Sequence, residues 1–86
     1  MASMYKNLTA SALVKEGPGK LVGVFVASAS STPTLKFWDA MSATAPVLLN
    51  TFTPIAGTQY NFPELQFTRG LYVTASGTLD ATVEYE

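Results

Sequence analysis

The sequence predicts an all-β fold: a small antiparallel β-sandwich, jelly-roll-like, with about eight short strands. Apolar residues recur with a spacing of two, which is typical of half-buried strands, and no window has the spacing of a helix. Thr, Val, Ser, Gly and Pro dominate the chain, and turn signals recur every ~8–12 residues, as in sandwiches and barrels. An immunoglobulin-like sandwich is the alternative.

Length and charge limit the classes of protein that this chain can be. Eighty-six residues without a change in composition predict one domain over residues 1–86. Charged residues make up 13% of the chain and the net charge is −1. Because nucleic-acid-binding domains carry a basic patch or stripe, we expect no nucleic-acid partner.

The first elements are a weakly patterned N-terminus and a strand. In residues 1–10, Met4, Tyr5 and Leu8 are apolar between polar residues, which fits a short strand, an arm that orders on a partner, or a frayed terminus. Ala12–Glu16 is predicted to be a strand. The following Gly-Pro-Gly at 17–19 predicts a tight turn with positive φ at Gly19, and hence a hairpin with the next strand.

The longest apolar run, Lys20–Ser31, predicts a strand over Leu21–Ala29. It is shorter than the roughly 20 residues of a membrane span, so no membrane partner is expected. Strict alternation puts Val22, Val24 and Val26 on one face and Leu21, Gly23, Phe25 and Ala27 on the other. Both faces are apolar, so the second must be covered by a loop of the same chain or by a second copy, which the small Gly23 and Ala27 beside Phe25 would let approach.

The remaining elements alternate with loops. A loop at Ser30–Pro33 is followed by a predicted strand from Thr34 to Asp39, a loop or one helical turn at Ala40–Ala45 and a strand at Pro46–Phe52. Tyr60–Phe62 is predicted to be a short strand or an extended link ended by Pro63, with a further element beginning at Leu65. Gly70–Ser76 and Thr78–Glu86 both alternate cleanly. The apolar faces are predicted to be Leu71, Val73 and Ala75 in the first and Leu79, Ala81, Val83 and Tyr85 in the second. Gly77 between them predicts a closing hairpin.

The residue types argue against an enzyme. The chain has no His and no Cys, which removes the commonest general base, thiol nucleophiles and the usual zinc ligands. Asp80, Glu84 and Glu86 share a strand face that fits a weak cation site or, as we favour, a solvated surface. We therefore expect no catalytic residue, no cofactor, no metal site and no small-molecule substrate.

Trp38 is the main candidate for a binding residue. Neighbouring strand residues face opposite ways, so Phe37 and Trp38 cannot both enter one core. Trp38 would pack under a loop, anchor an interface, or stack with Tyr60 on a sugar ring. Because a domain this small has neither disulfides nor metal ligands to stabilise it, we expect a homo-oligomer. The candidate interface residues are Met4, Tyr5, Leu8, Leu21, Gly23, Phe25, Ala27, Trp38 and Tyr60.

Several stretches resemble small structural proteins of tailed bacteriophages. They are Ala12-Leu13-Val14-Lys15, the Gly17-Pro18-Gly19 turn into Leu21-Val22-Gly23-Val24, Leu35-Lys36-Phe37-Trp38-Asp39-Ala40, Asn50-Thr51-Phe52-Thr53 and Gly70-Leu71-Tyr72-Val73. The resemblance implies a virion role, with a capsid decoration (cement) protein favoured and a tail or fibre module as the alternative. A decoration protein would form a trimer or other small oligomer and bind the major capsid protein. It would be soluble in the host cytoplasm before assembly, and residues 1–10 would be its capsid-binding arm.

Overall fold

The computed structural model of the chain describes residues 4–86, with every side chain in that range except that of Ser31. These residues form β1 (Met4–Leu8), β2 (Ala12–Glu16), β3 (Gly19–Trp38), β4 (Val47–Phe52), β5 (Thr58–Phe67) and β6 (Gly70–Tyr85). The all-β prediction is confirmed. The strands number six rather than eight because two of them are long. Over residues 4–86 there is no helix with the length and apolar character needed to cross a membrane.

The two long strands form an antiparallel ribbon that bends in the middle. β3 and β6 pair from Leu21 opposite Tyr85 to Trp38 opposite Tyr72, with a register shift between Ser30 and Thr34. Before the bend, β5 and β1 flank the ribbon, giving a first half-sheet in the order β5-β3-β6-β1. Beyond it, β2 and β4 flank the ribbon, giving a second half-sheet in the order β2-β6-β3-β4. The two half-sheets are the layers of a small antiparallel sandwich.

Gly77 lies at the bend, inside β6, with φ +76°. A Cβ at this position would stand 2.8 Å from Cα of Pro33, so only glycine fits against the opposite strand. The predicted hairpin at Gly77 and the predicted loop at Ser30–Pro33 are therefore wrong. A positive φ permits a β-bulge as readily as a tight turn, and here the bulge lets both strands continue around the corner.

One core joins the inner faces of the half-sheets. The Phe37 ring, on the second half-sheet, lies 6.5 Å from that of Phe62 on the first and 6.5 Å from that of Phe52. The buried cluster draws on both layers: Leu8, Val14, Leu21, Val24, Val26, Leu35, Phe37, Phe67, Leu71, Val73, Leu79, Ala81 and Val83. The predicted alternation in the C-terminal half of the chain is confirmed by this set.

The predicted hairpin between β2 and β3 is wrong. β2 pairs with β6, from Ala12 opposite Val73 to Glu16 opposite Gly70. The Gly-Pro-Gly segment instead carries the chain from the second half-sheet to the first, and its positive φ (+83°) falls on Gly17 rather than on Gly19. The N–H of Gly17 donates to the carbonyl of Arg69 at 3.1 Å, beside the second crossing between the half-sheets.

A bulge changes the predicted faces of β3. The register shifts between Leu21 and Gly23 against both neighbouring strands. Leu21 consequently joins Val24 in the core, and Phe25 lies on the opposite, outer face. The grouping of Leu21 with Phe25 is therefore wrong.

The edges of the first half-sheet also differ from the predictions. β5 runs through Pro63, which is tolerated because the strand lies at an edge, where a missing N–H breaks no essential ladder bond. At the other edge, Met4–Leu8 pairs with β6 of its own chain. The part of the predicted arm over residues 4–8 is therefore a strand of the chain's own sheet, and residues 1–3 lie outside the described residues.

Candidate functional site

A row of apolar side chains crosses the outer face of the second half-sheet. In the strand register, Leu13 lies opposite Tyr72, Tyr72 opposite Trp38, and Trp38 opposite Val47. One residue from each of the four strands therefore contributes to a continuous line. We call Leu13, Tyr72, Trp38 and Val47 the aromatic row.

The row faces away from the core because its chain neighbours face into it. Phe37 and Val73 are fully buried, so Trp38 and Tyr72, next to them in sequence, point outward. Val47 is 42% exposed at the edge, and Trp38, Tyr72 and Leu13 are half-buried.

Met41 extends the aromatic row towards the end of the sandwich. Gly70 precedes Tyr72 by two residues, and a Cβ on Gly70 would stand 2.9 Å from Cγ of Met41. The Met41 side chain therefore lies over Gly70, and it is 54% exposed. Glycine at position 70 provides the space for this flexible apolar side chain beside the row.

Two contacts fix the orientation of the Trp38 indole. Its Nε1 donates a 2.6 Å hydrogen bond to Oγ1 of Thr74, which lies two pairs along the ribbon, opposite Lys36. The Nζ of Lys36 lies 4.4 Å from the ring centroid, within the range of a cation–π interaction. The indole is thus held by a hydrogen bond at its Nε1 and by a cation over its ring.

The composition of this surface fits a protein partner. Trp and Tyr are enriched at the energetic centres of protein interfaces, and Met is over-represented there relative to the remaining surface. A rigid sheet that already fixes its aromatic side chains loses little conformational freedom on binding. The aromatic row is therefore the strongest candidate site in the described part of the chain.

The outer face of the first half-sheet has a different character. Amides and carboxylates meet across its strands: Asn7 Nδ2 donates to Asp80 Oδ1 at 2.7 Å, and Gln59 Nε2 donates to Glu84 Oε1 at 2.9 Å. The second pair crosses above Gly23, where a Cβ would stand 2.8 Å from Glu84 Oε1. The space at position 23 is therefore filled by side chains of the same chain, and not left open for the approach of a second copy.

Apart from Trp38 and Tyr60, the residues predicted for an interface divide into two groups. Leu8, Leu21 and Gly23 are buried within the fold and present no surface to a partner. Met4, Tyr5, Phe25 and Ala27 are exposed, Phe25 to 38% and amid the amides and carboxylates of the first outer face.

Trp38 and Tyr60 do not form a common platform. Tyr60 points inward, its ring 5.4 Å from that of Phe52, and its hydroxyl accepts a 3.0 Å hydrogen bond from the N–H of Ile55. Trp38 points outward from the other half-sheet. This geometry does not fit the alternative in which the two side chains stack together on one sugar ring.

Asp39 closes the end of the sandwich near the aromatic row. Its Oδ1 accepts 2.9 Å hydrogen bonds from the N–H groups of Thr68 and Arg69, which tie β3 to the turn before β6. Burial on its own raises the pKa of Asp39, but the backbone N–H groups of Arg69, Thr68 and Gly70, with the Thr68 hydroxyl, bring that pKa below its ordinary value.

The strand face of Asp80 and Glu84 is the one for which we favour a solvated surface over a weak cation site. Among residues 4–86, no three acidic side chains come close enough to hold a metal ion, and Asp80 and Glu84 each accept a hydrogen bond from an amide. The described residues also enclose no cleft or cavity.

Comparison with known proteins finds no match for this chain, whether among models of protein families, curated sequences or solved structures. The geometry of the site and the sequence patterns therefore carry the functional argument.

Proposed function

We propose that the chain is a non-enzymatic structural protein of a bacteriophage virion, a capsid decoration protein that binds the major capsid protein on the head surface through the aromatic row. The observation that carries the proposal is the placement of Trp38, Tyr72 and Val47 side by side on an outer sheet face. The sequence resemblance to phage structural proteins is the basis for proposing a virion role. The aromatic row is the surface that we propose contacts the capsid.

Physical considerations support a surface of this kind as an attachment site. Each large aromatic side chain can bury 150–250 Å² or so, and burial contributes roughly 25 cal/mol per Å² of apolar area. Trp38 and Tyr72 are only half-buried in the free chain, so a partner would remove further apolar area from water. The hydrogen bond from Trp38 to Thr74 keeps the indole in position before the partner arrives.

The proposal is tested by adding the purified chain to separated particle parts. Heads and tails that lack the protein, prepared from the phage that encodes it, are sedimented with it under the same conditions. We expect saturable co-sedimentation with heads and none with tails. Binding to tails alone would replace the proposal with a tail or fibre module, and binding to neither would refute a virion role.

A further inference from the structure

Lys36 places a positive charge within the area of the aromatic row. It lies two residues before Trp38 on β3, is half-buried, and holds its Nζ 4.4 Å from the centroid of the indole. Thr74, opposite Lys36 in the ribbon, accepts the indole N–H and donates its own hydroxyl to the carbonyl of Lys36 at 3.4 Å. A partner that covers the indole therefore also removes water from the Lys36 ammonium.

Within residues 4–86, the Lys36 ammonium has no carboxylate at ion-pairing distance. The ion pair in this part of the chain joins Lys20 to Glu64, on the first half-sheet. An ammonium has three N–H donors and no acceptor. In the free chain the donors of Lys36 are left to water, with the ring of Trp38 beside the charge.

The acids of the second half-sheet do not take the place of that water. Glu16 pairs with Gly70, four residues along β6 from Thr74, which is roughly 13 Å at the usual rise of a strand and beyond the ~8 Å Debye length at physiological salt. Asp39 follows the end of β3, where its carboxylate accepts two backbone N–H groups of the turn before β6. The positive charge at the aromatic row is therefore not cancelled by a described acid of its own sheet.

Covering the row would leave this charge buried, and a buried charge without a counter-charge is strongly destabilising. A carboxylate of the partner would both accept the N–H groups and neutralise the charge. We propose that the partner of the aromatic row presents an Asp or Glu side chain to Nζ of Lys36, among apolar side chains that pack on Trp38 and Tyr72. The inference rests on the proposed attachment to the capsid, and it makes Lys36 the residue that selects an acidic site there.

The two outer faces of the sandwich differ in charge, which supports this choice of partner. On the first, Asp80 and Glu84 accept hydrogen bonds from the amides of Asn7 and Gln59, and an amide does not neutralise a carboxylate. On the second, Lys36 stands at the aromatic row without an ion-pair partner in the described chain. An acidic surface repels the first face and attracts the second, so long-range electrostatics favour the orientation in which the row meets its partner.

A pair of matched variants tests the role of the lysine. Lys36→Met removes the charge and keeps an unbranched side chain beside the indole, because methionine sulfur packs well against aromatic rings. Lys6→Met, at an exposed lysine of β1 on the first half-sheet, removes the same charge elsewhere. In co-sedimentation with heads that lack the protein, we expect Lys36→Met to bind about tenfold more weakly than wild type and Lys6→Met to bind like wild type.

Heads with neutralised carboxylates test the partner's side of the contact. Their surface carboxylates are converted to amides with a carbodiimide and glycinamide, and electron microscopy checks that the particles stay intact. We expect wild type to bind these heads about tenfold more weakly than untreated heads, and no more tightly than Lys36→Met does. Equal binding of wild type and Lys36→Met to untreated heads, or a difference between them that persists on amidated heads, would overturn the inference. A wild-type chain that binds no heads would instead refute the proposed function.

Discussion

The indole Nε1 of Trp38 donates a 2.6 Å hydrogen bond to the hydroxyl of Thr74. The two residues lie on neighbouring long strands, on the outer face of the second half-sheet. This bond satisfies the polar atom of the only tryptophan, whose ring lies on the outer face with the Nζ of Lys36 over it.

Thr74→Val should remove this hydrogen bond while keeping the shape of the side chain. We expect the free energy of unfolding to fall by about 1 kcal/mol, the usual net value of such a bond. Urea unfolding followed by Trp38 fluorescence measures it. Thr51→Val, at an exposed position of the same half-sheet, is the control and should change stability by less than about 0.5 kcal/mol. Equal effects of the two substitutions would show that the bond is not stabilising.

Gly77→Ala should be more destabilising than Gly57→Ala, although both glycines have φ +76°. Position 57 has open space for a Cβ, so alanine there carries only the left-handed backbone cost of about 1–2 kcal/mol. At position 77 the new Cβ also collides with Pro33, which adds about 1–3 kcal/mol. Thermal or urea unfolding of the two variants gives the difference directly, and equal losses would contradict the close packing at the bend.

Asp39→Asn should make stability less dependent on acid pH. The lowered pKa of folded Asp39 means that its contribution is fully present above the unfolded-state pKa of about 4 and is lost as pH falls through the lower folded value. Near neutral pH we expect the variant to be less stable by about 1 kcal/mol, because the amide accepts the Thr68 and Arg69 bonds more weakly.

Urea unfolding of the wild type and Asp39→Asn across the acid range measures this dependence. The stability difference between the two proteins should shrink as pH falls below 4 or so, where the wild-type carboxylate becomes protonated. A difference that stays constant down to the lowest pH at which both proteins fold would contradict a charge-dependent role for Asp39.

Side-chain direction could be predicted from the sequence over much of the chain. The strict alternation around Leu71–Val73 and Leu79–Val83 identified buried residues because a strand with one wet face has a period of two. The same rule misplaced Leu21, because the bulge before Gly23 adds a residue and reverses the alternation.

Strand pairing could not be predicted, because the same local backbone conformation occurs at different places in the fold. Gly17 and Gly77 both have positive φ, but Gly17 lies where the chain crosses between half-sheets and Gly77 lies at a bulge within one strand. A glycine in the sequence indicates that the backbone can adopt a positive φ at that position. It does not indicate which strand pairs with the strand that contains it or follows it.

The aromatic row was likewise only partly predictable. Trp38 was identified from its residue type, whereas Leu13, Tyr72, Val47 and Met41 were missed. They come from separate segments, and only the register of four strands and one loop brings them together. The residue pattern within one segment therefore cannot predict a surface that several segments form together.

The comparison of Val47→Glu with Gln66→Glu in the head-binding assay tests the central role of the aromatic row. Both positions are exposed on edge strands and both substitutions add one negative charge, but only Val47 belongs to the row. We predict that Val47→Glu weakens binding to heads at least tenfold, about 1.4 kcal/mol, while Gln66→Glu binds like wild type and both remain folded. Undiminished binding of folded Val47→Glu would contradict the assignment of the aromatic row as the attachment surface.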